Sequence, residues 1–338
     1  MATMAIPMEA TETMKAIVRK RWGRPRDVAE LDDVAKPEPA DDEVLVRVHA
    51  SSINRSDYYA FGGVAVLMRP MIGGFLRPKD QRLGGDFAGI AEAVGKNVTD
   101  VQPGDEVYGA RSGAFADYVS AKMAVSQKPA NLSFEEAAAV PVAALTALQA
   151  LRDKGKLEEG QRVLVNGASG GVGTFAVQLA KALGAGHVTA VCSPRNVERA
   201  RSLGADRVVD YTREDYTRSG ERFDLIVDVA GNHSWRENKR VLTPNGSLVL
   251  AGAPSGNHLT GPLGRLARLW LASRFGSKTL IFFICKPNRV DLAMMRELIE
   301  SGRVSPVVER VYPLAEIADA LEAMGEGHVQ GKLVVRIN

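Results

Sequence analysis

The chain has 338 residues, 45% apolar and 25% charged, an ordinary globular composition with length for two domains. A net charge of +3, from 43 Lys and Arg against 40 Asp and Glu, is too small to argue for a nucleic-acid partner. Two cysteines, Cys192 and Cys285, cannot build a disulfide framework or a four-cysteine zinc site, and no stretch approaches the ~20 apolar residues of an integral membrane segment, so a cytoplasmic protein is expected.

Met1–Thr13 reads as a polar leader, and the first strand pattern starts at Met14-Lys15-Ala16-Ile17-Val18. Short β-like runs follow at Lys15–Arg19, Glu43–Ala50, Gly89–Val94, Asp105–Tyr108 and Ala116–Ser120, separated by turn signals such as Lys36-Pro37-Glu38-Pro39 and Gln102-Pro103-Gly104-Asp105. Such spacing predicts a barrel-like β domain. Residues 134–151 change to helix-forming composition, broken at Pro141. After Gly160, strands read at 162–166, 187–192, 207–210, 223–229, 247–251 and 279–284, and helices at 172–183, 195–203, 233–241 and around 263–275. That alternation predicts a parallel sheet with helices on both faces. From Arg289 the chain adds two helices and the strand Lys332–Ile337.

The stretch NGASGGVG, residues 166–173, joins the first of these strands to its helix with nearly the glycine spacing of a dinucleotide-binding turn. Ala168 stands where the first glycine is usual. A helix start offers unpaired N–H groups and the positive end of the helix dipole to a pyrophosphate. Ser169, Gly170, Gly171, Val172 and Gly173 are the expected seat, Gly170 for close phosphate approach and Gly173 for close helix–strand packing. A tight strand–helix turn with no ligand is the alternative, and the next strand at βαβ spacing argues against it.

The end of that next strand bears on the cofactor. An Asp or Glu there would select NAD through the ribose 2′-hydroxyl. Val191-Cys192-Ser193-Pro194-Arg195-Asn196 has no acid, Ser193 and Arg195 can meet a 2′-phosphate, and Tyr211 ends the following strand at the same edge. NADPH is therefore the expected cofactor, although Ser193 could cap its helix and Arg195 could be a solvated charge.

Met14-Lys15-Ala16-Ile17, Glu43–Val48, Gly84-Gly85-Asp86-Phe87-Ala88-Gly89, Gly104–Gly109, the NGASGGVG turn and Gly331–Val335 stand in one order and spacing. Together they resemble the medium-chain dehydrogenase/reductase superfamily and its zinc-independent quinone oxidoreductase branch. The resemblance implies an α/β protein. A GroES-like β-barrel-type domain (1–137 and 284–338) would accompany a Rossmann-type doubly wound parallel sheet (138–283), with the active site between them and a homodimer as the assembly. It also implies Asn54 beside the nicotinamide ribose, Tyr59 as a donor to the substrate, and Asp57 as an orienting group. On the cofactor side it implies Thr146, Ala230, Gly252, Phe282 and Lys332, the last near the phosphates. Packing is the alternative for the apolar ones, and Tyr58 and Tyr59 could simply cover the barrel mouth. Where that branch often has an arginine, two residues after the tyrosine, this chain has Phe61.

Zinc-dependent relatives carry a cysteine and a histidine where this chain has Asn54 and Gly85, so no metal is expected. Without a Lewis acid, reduction of a small apolar quinone or α,β-unsaturated carbonyl is favoured over alcohol oxidation, because the acceptor delocalises the incoming charge. The alternatives are a zinc-free NADP-dependent alcohol or carbonyl dehydrogenase and a non-catalytic NADPH-binding protein. Thr260–Lys278 interrupts the sheet rhythm with a basic amphipathic pattern, expected to pack on its own domain or a dimer partner, with a membrane-surface helix or a substrate lid as the alternatives.

Overall fold

The computed structural model describes residues 12–63, 77–78, 81–252 and 278–337. The leader through residue 11, the helix expected around 263–275, most of the 260–278 stretch and Ala253 lie outside the described residues.

Six strands form a parallel sheet: β8 (Arg162–Asn166), β9 (His187–Cys192), β10 (Arg207–Asp210), β11 (Phe223–Asp228), β12 (Leu242–Leu250) and β13 (Thr279–Phe282). Their order is β10-β9-β8-β11-β12-β13. The chain steps outward from β8 through β9 to β10, then crosses to β11 and steps outward the other way. The carboxyl ends of β8 and β11 therefore flank a topological switch point, where open α/β sheets hold their ligands. Apolar runs such as Val163-Leu164-Val165 and Val188–Cys192 are fully buried, as strands covered on both faces must be. The helix Gly171–Ala182 adds Phe175, Ala176, Val177, Leu179 and Ala180 to that core.

A second, mostly antiparallel sheet has the order β14-β15-β3-β4-β5-β7, with β6 also pairing β3. It is built from β3 (Val44–Ile53), β4 (Asp86–Val94), β5 (Glu106–Ala110), β6 (Tyr118–Ala121), β7 (Val125–Gln127), β14 (Val308–Pro313) and β15 (Lys332–Arg336). β1 (Thr13–Val18) and β2 (Glu30–Ala35) form a separate antiparallel pair. Because β15 runs antiparallel to β3, with Leu333 opposite Ile53, a late segment completes a sheet begun early.

Three strands were not anticipated, and a fourth starts early. β2 (ELDDVA) was not anticipated because its side chains are mostly exposed and acidic, so it lacks an apolar face. β7 is only three residues long, and β14 (VERVYP) buries Tyr312 alone. β4 starts at Asp86, before the expected Gly89, because its polar first residue is buried at a site described below.

The helices Pro141–Leu148 and Arg289–Glu300 lie between the sheets. Ala50, Ala88 and Tyr108 share one buried cluster with Leu145, Val163, Phe175 and Leu292, and the Tyr108 hydroxyl donates to the Leu292 carbonyl at 2.6 Å. A parallel bridge between Gly170 and Gly331 joins the glycine turn directly to the start of β15.

Candidate active site

The glycine turn is the first part of the site. Gly167 takes φ +87°, a conformation open to glycine, and Ala168 does not, so a methyl is tolerated at 168 and is buried against the core. A β-carbon on Gly173 would stand 2.1 Å from the Gly167 carbonyl oxygen, whereas one on Gly170 would meet only that oxygen, at 3.9 Å. Close packing thus requires glycine at 173, and open space remains at 170. Gly170 caps the helix without a side-chain bond, leaving the first-turn N–H groups of Gly171, Val172 and Gly173 without intrahelical acceptors. This cradle fits a dinucleotide pyrophosphate. The Ser169 carbonyl, by contrast, accepts from Gly331 N–H at 2.8 Å.

The switch point is polar. Asn166 and Asp228 stand opposite each other at the ends of β8 and β11, and Asn166 Nδ2 donates to Asp228 Oδ1 at 2.8 Å. Asp228 also accepts from Gly231 N–H at 2.8 Å, which sets the loop carrying Ala230 against Gly167. Gly252 closes in after β12, where a β-carbon would lie 2.3 Å from the Val229 carbonyl oxygen. Phe282 ends β13 and is exposed.

At the outer edge, Asp210 pairs with Cys192, so Ser193 and Tyr211 leave adjacent strands side by side. Burial pushes the Cys192 thiol up to about 11, which suits a packing residue. Tyr211 is exposed, and Ser193 Oγ accepts from Asn196 Nδ2 at 2.9 Å, which leaves its own proton to donate. The Arg195 guanidinium donates to the His328 carbonyl at 2.6 Å.

The third part is a buried polar cluster between the domains. Asp86, at the start of β4, is fully buried. Its Oδ2 accepts from Ser52 Oγ at 2.7 Å and Asn54 Nδ2 at 2.8 Å and pairs with Lys332 Nζ at 3.4 Å. Its Oδ1 accepts from Val142 N–H at 2.9 Å, an unpaired first-turn donor of the helix Pro141–Leu148, where the dipole favours an anion. Lys332 Nζ donates to Asn54 Oδ1 at 2.7 Å and the Ile53 carbonyl at 3.2 Å. Asp57 Oδ2 accepts from Asn54 N–H at 2.7 Å. Burial, then the nearby Asp86 charge, pushes the Asp57 carboxyl up to about 7 against the lowering effect of Asn54 and Lys332. On the same helix Thr146 is buried, and its hydroxyl donates to the Val142 carbonyl at 2.6 Å.

Asn54, Asp57 and Lys332 are therefore gathered together, and the Val142–Asp86 bond sets Thr146 on the adjoining helix. Tyr59 is half-buried with its hydroxyl accepting from Arg55 Nε at 3.3 Å, and Phe61 is wholly buried. The Lys332 ammonium is committed to Asn54, Ile53 and Asp86, a different place from the phosphate contact expected of it. Asp86 was not among the anticipated site residues. Its one signal is an acid opening the apolar run Phe87–Ala91.

These residues do not fit zinc. Gly85 supplies no side chain, and the space a β-carbon there would fill begins 3.4 Å from Asn54 Nδ2, a donor atom. Among the described residues no group of three or more His, Cys, Asp and Glu could hold a metal ion, and no helix is long and apolar enough to cross a membrane.

Residues 40–193 match the alcohol dehydrogenase GroES-like domain, and residues 203–335 match a family described as zinc-binding dehydrogenase. The mitochondrial NAD(P)H oxidoreductase RTN4IP1 of Mus musculus is 34% identical over 332 residues, covering 87% of this chain and 82% of that protein. The chloroplastic quinone-oxidoreductase homolog of Spinacia oleracea is 32% identical over 340 residues, covering 96% of this chain and 99% of that protein. The solved structure of the quinone oxidoreductase from Coxiella burnetii is similar with a TM-score of 0.83 at 29% identity, over 97% of this chain and 100% of that one.

Proposed function

The chain belongs to the medium-chain dehydrogenase/reductase superfamily, among quinone-oxidoreductase-like members, and on that premise we propose that it uses NADPH to reduce quinones or α,β-unsaturated carbonyl compounds without a metal. The observation that carries this reading is the polar cluster itself. At the positions of two zinc ligands the chain has Asn54 and Gly85, and the side chains around them, Asp57, Asp86 and Lys332, are hydrogen-bonded into one cluster. A substrate reduced there must delocalise its own charge, as quinones and enones do.

The glycine turn would hold the pyrophosphate on the N–H groups of residues 171–173. Ser193, Arg195 and Tyr211 would take the 2′-phosphate, with no acid among them to repel it. The bound dihydronicotinamide supplies the hydride. Asn54 and Thr146 would set the face on which it lies. Tyr59, with its proton free while Arg55 donates to its oxygen, hydrogen-bonds the substrate oxygen as charge builds on it. The exposed Phe282 and Ile284 lie at and just beyond the end of β13, the outermost strand of its sheet among the described residues, which suits a homodimer, and two unpaired thiols suit a reducing, cytoplasmic compartment.

A panel of quinones, enones and simple alcohols, run with NADPH and with NADH, tests the proposal. Oxidation of NADPH by quinones or enones is expected, with no reduction of NADP by alcohols. Alcohol-supported reduction would instead make the protein a zinc-free dehydrogenase, and NADPH binding with no turnover would make it a binding protein.

A further inference from the structure

Lys332 enters the cleft by an unusual path. Its stem lies along the glycine turn, so that a β-carbon on Gly171 would stand 2.7 Å from Lys332 Cδ and 3.4 Å from Cγ. Its ammonium, almost wholly buried, ends beside β3 and β4 of its own sheet, on Asn54 Oδ1, the Ile53 carbonyl and Asp86 Oδ2. Three acceptors match the three ammonium protons, which leaves none for a phosphate.

The Asn54 carboxamide is thereby gripped at both ends. Its oxygen faces the ammonium at 2.7 Å and its nitrogen faces the Asp86 carboxylate at 2.8 Å. Turning the amide over would set N–H against the ammonium and oxygen against the carboxylate, two like-polarity contacts in a buried site. One orientation is therefore fixed.

We propose that Lys332 is a positioning residue that acts through Asn54: with Asp86 it sets the orientation of the Asn54 carboxamide, and by its stem on Gly171 it ties that orientation to the pyrophosphate turn. This rests on the reading of Asn54 as a residue beside the nicotinamide. Seating of the dinucleotide on Gly170 and Gly171 and alignment of Asn54 become one event, because a single side chain spans both.

The test compares the full chain with Lys332→Met, which keeps the stem and removes the ammonium, with Asn54→Ala, and with the two combined. The readouts are NADPH affinity, the emission of the bound dihydronicotinamide, and turnover. In Lys332→Met, NADPH affinity should stay within about threefold, turnover should fall about tenfold or more, and the emission should shift as it does in Asn54→Ala. In the Asn54→Ala background, Lys332→Met should change turnover and emission by less than about twofold. Independent, multiplicative effects would overturn the proposal, and so would a large loss of NADPH affinity at unchanged turnover, which would mark a phosphate contact. If the wild type reduces no acceptor, the functional reading fails by itself and the emission decides. An unshifted emission in Lys332→Met overturns the positioning role, and matching shifts in all three variants support it. Where Lys332→Met does not fold, Lys332→Met/Asp86→Asn leaves no buried charge unpaired, and wild-type emission from that protein overturns the proposal.

Discussion

Arg195 donates to the backbone carbonyl of His328 at 2.6 Å, linking the turn after β9 to the segment that leads into β15. Arg199 reaches the same segment through the Gln330 side chain at 3.1 Å. A 2′-phosphate is a stronger acceptor than a carbonyl, so cofactor binding would draw Arg195 from one to the other. A charge-assisted bond contributes about 1.5–3 kcal/mol, so Arg195→Ala should weaken NADPH by roughly ten- to a hundredfold and leave NADH nearly unchanged. Ser193→Asp should repel the phosphate and move preference toward NADH. Fluorescence titration with both nucleotides measures this, and equal affinities in the unmodified protein would remove the NADPH assignment.

Asp57 predicts how stability changes with pH. Its carboxyl, near 3.8 when unfolded, is pushed up to about 7 in the fold by burial. The neutral form is favoured inside, so the contribution is complete below the unfolded value and is lost as pH rises through the folded one. Thermal stability should therefore decline between about pH 4 and pH 7, with a slope of up to about 1.4 kcal/mol per pH unit from this group. Asp57→Asn should flatten that decline, and an unchanged slope would contradict the assignment.

Asp86 carries a buried ion pair and three further hydrogen bonds. Removing one partner of such a pair leaves a lone buried charge, so Asp86→Ala should destabilise the protein by about 3–5 kcal/mol. Asp86→Asn with Lys332→Met should cost clearly less than the sum of the two single changes. Denaturant melts of the four proteins give the coupling directly, and strict additivity would mean the two groups do not interact.

Tyr59 and Asn54 are expected to matter to turnover. Loss of one donor acting on developing charge lowers turnover roughly 10–1000-fold, the range expected for Tyr59→Phe with a good quinone substrate. Asn54→Ala should lower turnover as well. Wild-type turnover in a folded Tyr59→Phe protein would leave that hydroxyl as a partner of Arg55 alone.

Metal independence is checked by exhaustive dialysis against a chelator. Activity should survive, and elemental analysis should find no stoichiometric zinc. Activity lost to the chelator and restored by zinc would contradict the proposal.

The parallel sheet was legible because its strands are buried on both faces, and runs such as Val188–Cys192 stand out against the polar turns around them. The glycine turn was legible for the same reason that it works: Gly170 and Gly173 answer separate steric demands at a fixed spacing. β2 was not, since Glu30, Asp32 and Asp33 on a mostly exposed strand carry no apolar period. The direction of Lys332 was not legible either. Its bond to the Ile53 carbonyl spans 279 residues and exists only because β15 docks on β3, a pairing no local pattern announces. Asp86 was quoted within a motif, but its importance comes from burial and from four partners on three other segments.

The placement of β15 between β14 and β3 also bears on how the protein is made. A growing chain delivers β3 and β4 to the cytosol or organelle first, and they must wait through the synthesis of β8–β13 before the strand that pairs with Ala50–Ile53 of β3 emerges. During that interval the middle segment, contiguous from β8 to β13, can fold as a unit, whereas the Ala50–Ile53 edge of β3 and the uncompensated carboxylate of Asp86 stay open to solvent and to chaperones. The final step, docking of β15, covers the strand edge, neutralises Asp86 and aligns Asn54 together, so a ribosome-bound nascent chain lacking β15 should bind hydrophobic-strand chaperones and gain no protease resistance in its first domain.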